Sequence, residues 1–190
     1  MLTSEDGNLA CALARDAIEH AVAGKPTTSI SLTPVFEENR GVFVTLTKQG
    51  ELRGCIGFPY PVMPLGDAIR QSAVAAALED PRFPPVKKEE VSSLAFEVTV
   101  LTVPHQLACE PEDRPAHVKT GRHGLIVRGR GTSGLLLPQV ATEYGWDSLT
   151  FLSHTCQKAG LPGACWKDKH VEVLTFEGQI FPGLFSERTV

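Results

Sequence analysis

A guanidinium and a thiol two residues apart, Arg53 and Cys55 in Leu52-Arg53-Gly54-Cys55-Ile56-Gly57, are the groups in this chain best suited to chemistry. Thiolate is the reactive form of cysteine, and a fixed cation beside it favours thiolate over thiol. Side chains alternate along a strand, so Arg53, Cys55 and Gly57 are expected on one face and Leu52, Gly54 and Ile56 on the other. The two-residue repeat then sets the guanidinium about 7 Å along the strand from the thiol. Gly54 and Gly57 weaken the strand, and a glycine there marks a bulge or a close approach to the backbone. The plainer account is a buried cysteine among small residues, with Arg53 exposed at an edge.

A thiol enzyme also needs a group that moves protons. His123, bracketed by Gly121 and Gly124 at the entrance to a strand, is the best candidate base. Glu97, in an otherwise apolar strand, can orient that histidine or bind a substrate amine or hydroxyl. The alternatives are that His123 is a turn residue, and that Glu97 faces water or pairs with Arg53. Pairing would take thiolate support from Cys55. From Arg114 to Thr142 the chain carries Arg114, Lys119, Arg122, Arg128 and Arg130 and no acidic residue. Arg128-Gly129-Arg130-Gly131 can present two guanidiniums and backbone N–H groups to a phosphate, or form a solvated face. It has no Walker lysine, and its glycine spacing is not that of a dinucleotide fingerprint. The six histidines are scattered without an H-E-x-x-H pair, so neither a metal nor a cofactor is expected.

With 190 residues, 42 % hydrophobic and 21 % charged, the chain has the composition of an ordinary globular protein. A net charge of −4 opposes bulk nucleic-acid binding, leaving room only for a local basic patch. No apolar run approaches the ~18 residues of a membrane span, and no secretion signal is evident, so a cytoplasmic protein is expected. The five cysteines are odd in number and never spaced C-x-x-C, which favours reduced thiols over a disulfide framework or a structural zinc site.

The elements that must position these residues follow from periodicity. Apolar residues from Asn8 to Ala23 fall on one helical face, and Gly24 stops the helix. Val42–Thr47, a turn at Lys48-Gln49-Gly50, and Leu52–Gly57 form a hairpin. A Pro-rich loop leads into an alanine-rich helix from Leu65 to Glu79, whose small residues suggest close approach of another backbone. Ala95–Val103 reads as a strand with Phe96, Val98 and Val100 on one face. A second strand–turn–strand follows at Gly124–Leu137. After it come a helix capped by Asp147 and stopped by Gly160, and a closing hairpin around Glu177-Gly178. Similar element order at an offset of 83 residues points to pseudo-repeats over approximately 41–103 and 124–182. The expected fold is α+β, a duplicated β-hairpin–helix–strand unit around one curved, barrel-like, mostly antiparallel sheet with helices outside.

Leu52-Arg53-Gly54-Cys55-Ile56-Gly57 resembles the signature of the AMMECR family, named for the Alport syndrome, midface hypoplasia and elliptocytosis chromosomal region. Glu79-Asp80-Pro81-Arg82-Phe83-Pro84-Pro85, Phe96-Glu97-Val98, Gly121-Arg122-His123-Gly124-Leu125, Leu136-Leu137-Pro138-Gln139-Val140 and Cys156-Gln157-Lys158-Ala159-Gly160-Leu161-Pro162 are similar to that family's other blocks, in its order. His154 looks like a local variation. The resemblance covers essentially the whole chain and implies one AMMECR-type domain over 1–190, an α+β fold and no established reaction. It implies Memo-type and radical-SAM proteins as partners, because family members are encoded beside or fused to them. Two functions are expected of the strand. One is a thiol-dependent enzyme or enzyme subunit with Cys55, Arg53, His123 and Glu97 as catalytic residues. It would take a small or nucleotide-like anionic substrate at Gly54, Gly57, Arg82, Arg128 and Arg130. The other is a non-catalytic module that docks a ligand or protein partner there.

Overall fold

The computed structural model describes residues 1–185. In chain order its main elements begin with α1 (Ser4–Ala23), β1 (Val42–Lys48), β2 (Glu51–Phe58), α2 (Leu65–Leu78), β3 (Leu94–Leu101) and β4 (His105–Gln106). After these come α3 (Arg114–His117), β5 (Gly124–Gly129), β6 (Thr132–Leu136), α4 (Pro138–Glu143), α5 (Ser148–Lys158), β7 (Glu172–Phe176) and β8 (Gly178–Leu184). Two compact units result, one made of Met1–Leu101 with the described residues from Gln179 to Phe185, the other of Thr102–Gly178. The α+β class holds.

In the first unit Thr3 starts α1. Its hydroxyl accepts the Asp6 N–H at 3.1 Å while the Asp6 carboxylate accepts the Thr3 N–H at 2.9 Å, a reciprocal cap worth about 1 kcal/mol. Gly24, with φ 66°, ends the helix in the left-handed region that glycine enters freely. Gln49 and Gly50 both have positive φ, the two-residue turn whose twist suits a hairpin. The sheet runs β2-β1-β3-β8. Leu13 and Ile18 of α1 and Leu65, Ile69 and Ala73 of α2 bury one of its faces, where they meet Val42, Val44, Leu46, Phe96 and Val98. The alternate residues Phe43, Thr45 and Thr47 on β1 and Glu97 and Thr99 on β3 lie on the other face, and none is buried.

In the second unit the sheet runs β4-β7-β5-β6. Asp147 caps α5 by accepting the Thr150 N–H at 2.7 Å, and Phe151, Leu152 and Cys156 of that helix pack on Leu125, Val127 and Val173. Arg130 and Gly131 make the tip of the β5–β6 hairpin, between Gly129 of β5 and Thr132 of β6.

Three expectations are corrected. The strands form two four-stranded antiparallel sheets, not one barrel-like sheet. The closing hairpin is absent: β7 is paired on both sides, by β5 and β4, so the chain turns away at Glu177 and β8 joins the first sheet beside β3. Glu177 is fixed there through its main chain, its C=O accepting the Thr102 N–H and its N–H donating to the Thr102 hydroxyl. Finally, Cys156 and Cys165 form a disulfide where reduced thiols were expected. The reversal after α5, through Gly160 at φ 72°, brings them together, and no C-x-x-C spacing announces it.

Candidate functional site

Gly54 faces inward, opposite Leu46 on β1. A Cβ built on it would lie 2.1 Å from the Ala76 carbonyl oxygen, so the alanine-rich helix α2 sits directly on this strand. Gly57 is closed off as well, since its Cβ would meet the Val42 carbonyl at 2.2 Å and the Phe43 ring at 2.6 Å. At both glycines the neighbouring backbone leaves no room for a side chain.

Between Leu46 and Thr47 the β1–β2 register shifts: Leu46 faces Gly54, Thr47 faces Leu52, and Arg53 is the extra residue of a bulge. The expected alternation of Arg53 with Cys55 breaks here. The Arg53 NH2 donates to Glu90 Oε2 at 3.1 Å, and Lys48 Nζ donates to Glu90 Oε1 at 2.9 Å. Lys48 follows buried Leu46 by two residues and pairs with buried Leu94, so this carboxylate lies on the helix side. Hydrogen bonds from Arg53 and then Lys48, with the Lys87 N–H, hold the Glu90 carboxyl down at about 2. Arg53 is thereby neutralised by Glu90, not Glu97.

Cys55 continues on the opposite face. Thr45 lies across from Cys55 on one side and from Glu97 on the other, so the three form a row across β2, β1 and β3. The Thr45 hydroxyl donates to Cys55 Sγ at 3.3 Å, the thiol is half-buried, and Glu97 is exposed without an ion pair among the described residues.

The main chain of Cys55 is held from the outer edge of the sheet. Its N–H donates to Asp80 Oδ2 at 2.8 Å, and its carbonyl accepts from Arg82 NH2 at 3.3 Å. Arg82 also donates from Nε and NH2 to Asp80 at 3.0 and 2.7 Å. The Asp80 side chain is 2 % exposed and that of Arg82 53 %. The Arg82 bonds keep the Asp80 carboxyl well below the usual carboxylate range against the opposing effect of burial. Arg82 NH1 takes no partner among the described residues, and the guanidinium lies 5.5 Å from the Phe83 ring centroid. Asp80, Thr45 and Glu90 were not singled out in the sequence. Asp80 had a signal: its Oδ1 accepts the Arg82 N–H across Pro81, the side-chain turn that Asp makes before proline.

His123 belongs to the second unit. Its Nδ1 accepts the Lys119 N–H at 3.2 Å, which leaves the proton of the neutral ring on Nε2, 3.8 Å from Glu177 Oε1. Arg122 Nε donates to that same oxygen at 2.9 Å. Burial is the main cause lowering the His123 pKa, with Glu177 opposing it. Arg128 is exposed opposite Glu172 on β7, and Arg130 occupies the turn at φ 51°. The expected set is thus divided: Cys55, Glu97, Arg53 and Arg82 in the first unit, and His123, Arg128 and Arg130 in the second. Among the described residues no group of His, Cys, Asp or Glu could hold a metal ion, and no helix is long and apolar enough to cross a membrane.

The chain is similar to known proteins over most of its length. The AMMECR1 family model matches residues 11–181. A Methanosarcina acetivorans protein is 53 % identical over 186 residues, covering 95 % of this chain and 93 % of its own. A Methanothermobacter thermautotrophicus protein is 50 % identical over 183 residues, covering 95 % of each chain. The crystal structure of the uncharacterized protein PH0010 from Pyrococcus horikoshii is similar at a TM-score of 0.74 and 44 % identity, covering 95 % of this chain and 92 % of that one. With the family model spanning residues 11–181 and relatives of half-identical sequence matching over more than nine-tenths of both chains, the chain belongs to the AMMECR1 family.

Proposed function

We propose that the open face of the first sheet is a thiol reaction site, with Cys55 as nucleophile and Arg82 holding the anionic group of a small substrate. The observation that carries this reading is the fixed sulfur: Thr45 donates to Sγ while Asp80 and Arg82 hold the cysteine main chain on both sides. A hydroxyl donating to sulfur stabilises developing thiolate. The Sγ lone pair forms a bond to an electrophilic centre, the leaving group departs with its electron pair, and the thiol proton passes to water. Arg53 acts as a structural cation on Glu90, and His123 as a local anchor for Glu177.

The docking alternative is weakened by the same geometry. An added strand would hydrogen-bond to the outward N–H and C=O of the edge strand, and at Cys55 both are already engaged. The reading retains Memo-type and radical-SAM proteins as partners by family context. It also retains the two units as copies of one hairpin–helix–strand ancestor. In support, Gly134 is pressed by Ala159 of the second unit as Gly54 is by Ala76, its Cβ lying 2.3 Å from the Ala159 nitrogen. That pairing is an offset of 80 where the sequence suggested 83, and sets Cys55 against Leu135, so one copy alone would carry the thiol.

Alkylation tests the proposal. Burial pushes the Cys11 thiol up to about 11, which makes it a slow internal reference. At neutral pH Cys55 is expected to label at least about tenfold faster than Cys11. Cys55 should also favour iodoacetate over iodoacetamide more than Cys109 does, and Arg82→Gln should abolish that preference. Equal rates at Cys55 and Cys11 would end the proposal. A fast Cys55 without charge preference would remove Arg82 from it.

A further inference from the structure

Tyr144, Trp146 and His154 form an aromatic stack in the second unit. The Tyr144 and Trp146 centroids are 5.0 Å apart with planes 19° apart, and those of Trp146 and His154 are 3.9 Å and 8° apart. Trp146 rests partly on the core, but Tyr144 is 68 % exposed and nearby Leu149 50 %. Holding aromatic side chains in register costs conformational entropy, and here the ordered rings leave an aromatic surface in water. Exposed aromatic surface with a polar surround marks an interaction site.

The charges beside the stack select what binds it. Glu143 and Asp147 flank the Tyr144 and Trp146 positions in the chain, both are exposed, and neither forms an ion pair among the described residues. Hydrogen bonds from Thr150 lower the Asp147 pKa, so its carboxylate stays charged. From Gly131 to Gln157 the sequence contains no lysine or arginine, although the chain holds 18. A guanidinium suits such a surface: it is planar and weakly hydrated, stacks on an aromatic face, and directs its N–H fork at a carboxylate. A lysine ammonium is compact and strongly hydrated, and gains less from a flat ring. We propose that the Tyr144–Trp146–His154 stack, with Glu143 and Asp147 beside it, is a docking surface for a partner protein that presents an arginine side chain.

Fluorescence of the full chain tests this directly, since Trp166, the other tryptophan, is 4 % exposed and Trp146 reports on the stack. The probes are Ac-Gly-Arg-Gly-Arg-Gly-NH2 and its lysine counterpart, each titrated at about 0.15 M and about 0.5 M salt to vary the screening. The arginine peptide is expected to change the emission saturably and to bind about three- to fivefold more tightly than the lysine peptide, with the preference surviving at high salt. Tyr144→Phe should keep the preference and Tyr144→Ala should lose it, while Glu143→Gln weakens both peptides. The proposal is overturned by the absence of a saturable change with the arginine peptide, by equal affinity for the two peptides, or by a Tyr144→Ala protein that binds like the parent.

Discussion

The Asp80 carboxylate accepts the main-chain N–H of Cys55 at 2.8 Å from 25 residues away in the chain. Buried aspartate rarely lacks a compensating partner, and Asp80 has one in Arg82, which also reaches the Cys55 carbonyl. This short segment after α2 therefore closes the sheet edge and fixes the cysteine.

Removal of that clamp should show an asymmetry. Asp80→Ala leaves a peptide N–H and a guanidinium without their acceptor and is expected to lower stability by about 2–4 kcal/mol. Arg82→Ala is expected to cost about 1 kcal/mol or less, because Arg82 is half exposed and solvent takes over its role. Urea unfolding of the two variants measures both. An Arg82→Ala loss as large as that of Asp80→Ala would show that the guanidinium, not the carboxylate, holds the edge.

Gly54→Ala should be among the most damaging single-methyl additions in the chain. Its Cβ would lie 2.1 Å from a backbone oxygen of α2, and backbone cannot swing aside as a side chain can. A loss of about 2–3 kcal/mol or more is expected from such overpacking. Gly66→Ala is the control: its nearest neighbour is a Leu32 side-chain carbon at 3.4 Å, and the change should stay within about 0.5 kcal/mol of the parent. Thermal melts of the two proteins compare them, and equal midpoints would contradict the close helix–strand approach.

Acid should destabilise the first unit through Glu90 and Asp80. Both carboxyls are depressed in the folded state, Glu90 to about 2, so the unfolded chain binds protons more readily as pH falls. Their stabilisation is complete above the ordinary carboxylate values of ~4 and is lost as pH falls through the folded values. Urea midpoints should therefore drop from about pH 5 downward. Glu90→Gln should begin lower at neutral pH and fall less steeply. An unchanged slope in that variant would show that Glu90 is not one of the groups responsible.

Local chemistry was readable residue by residue. Gly24 stopped α1, Gln49-Gly50 turned the first hairpin, Asp147 capped α5, and the alternation in β3 put Phe96 and Val98 inside and Glu97 outside. The close approach at Gly54 was legible as well, since two glycines in one strand and an alanine-rich helix are complementary signs of the same contact. All of these depend on neighbours a few residues apart, or on one periodicity.

What only the tertiary structure decided depends on partners that lie far apart in the chain or on a break in periodicity. The bulge gives Arg53 one residue more than its partner strand can match, so it turns to Glu90 and leaves Cys55 to Thr45, Asp80 and Arg82. β8 pairs in the first sheet because both sides of β7 are already taken, and the Cys156–Cys165 bond forms because the chain reverses after α5. A sequence states which groups can donate, accept or pack. Register and competition for sheet edges decide which of them meet, because each strand has only two edges and a single extra residue redirects a side chain.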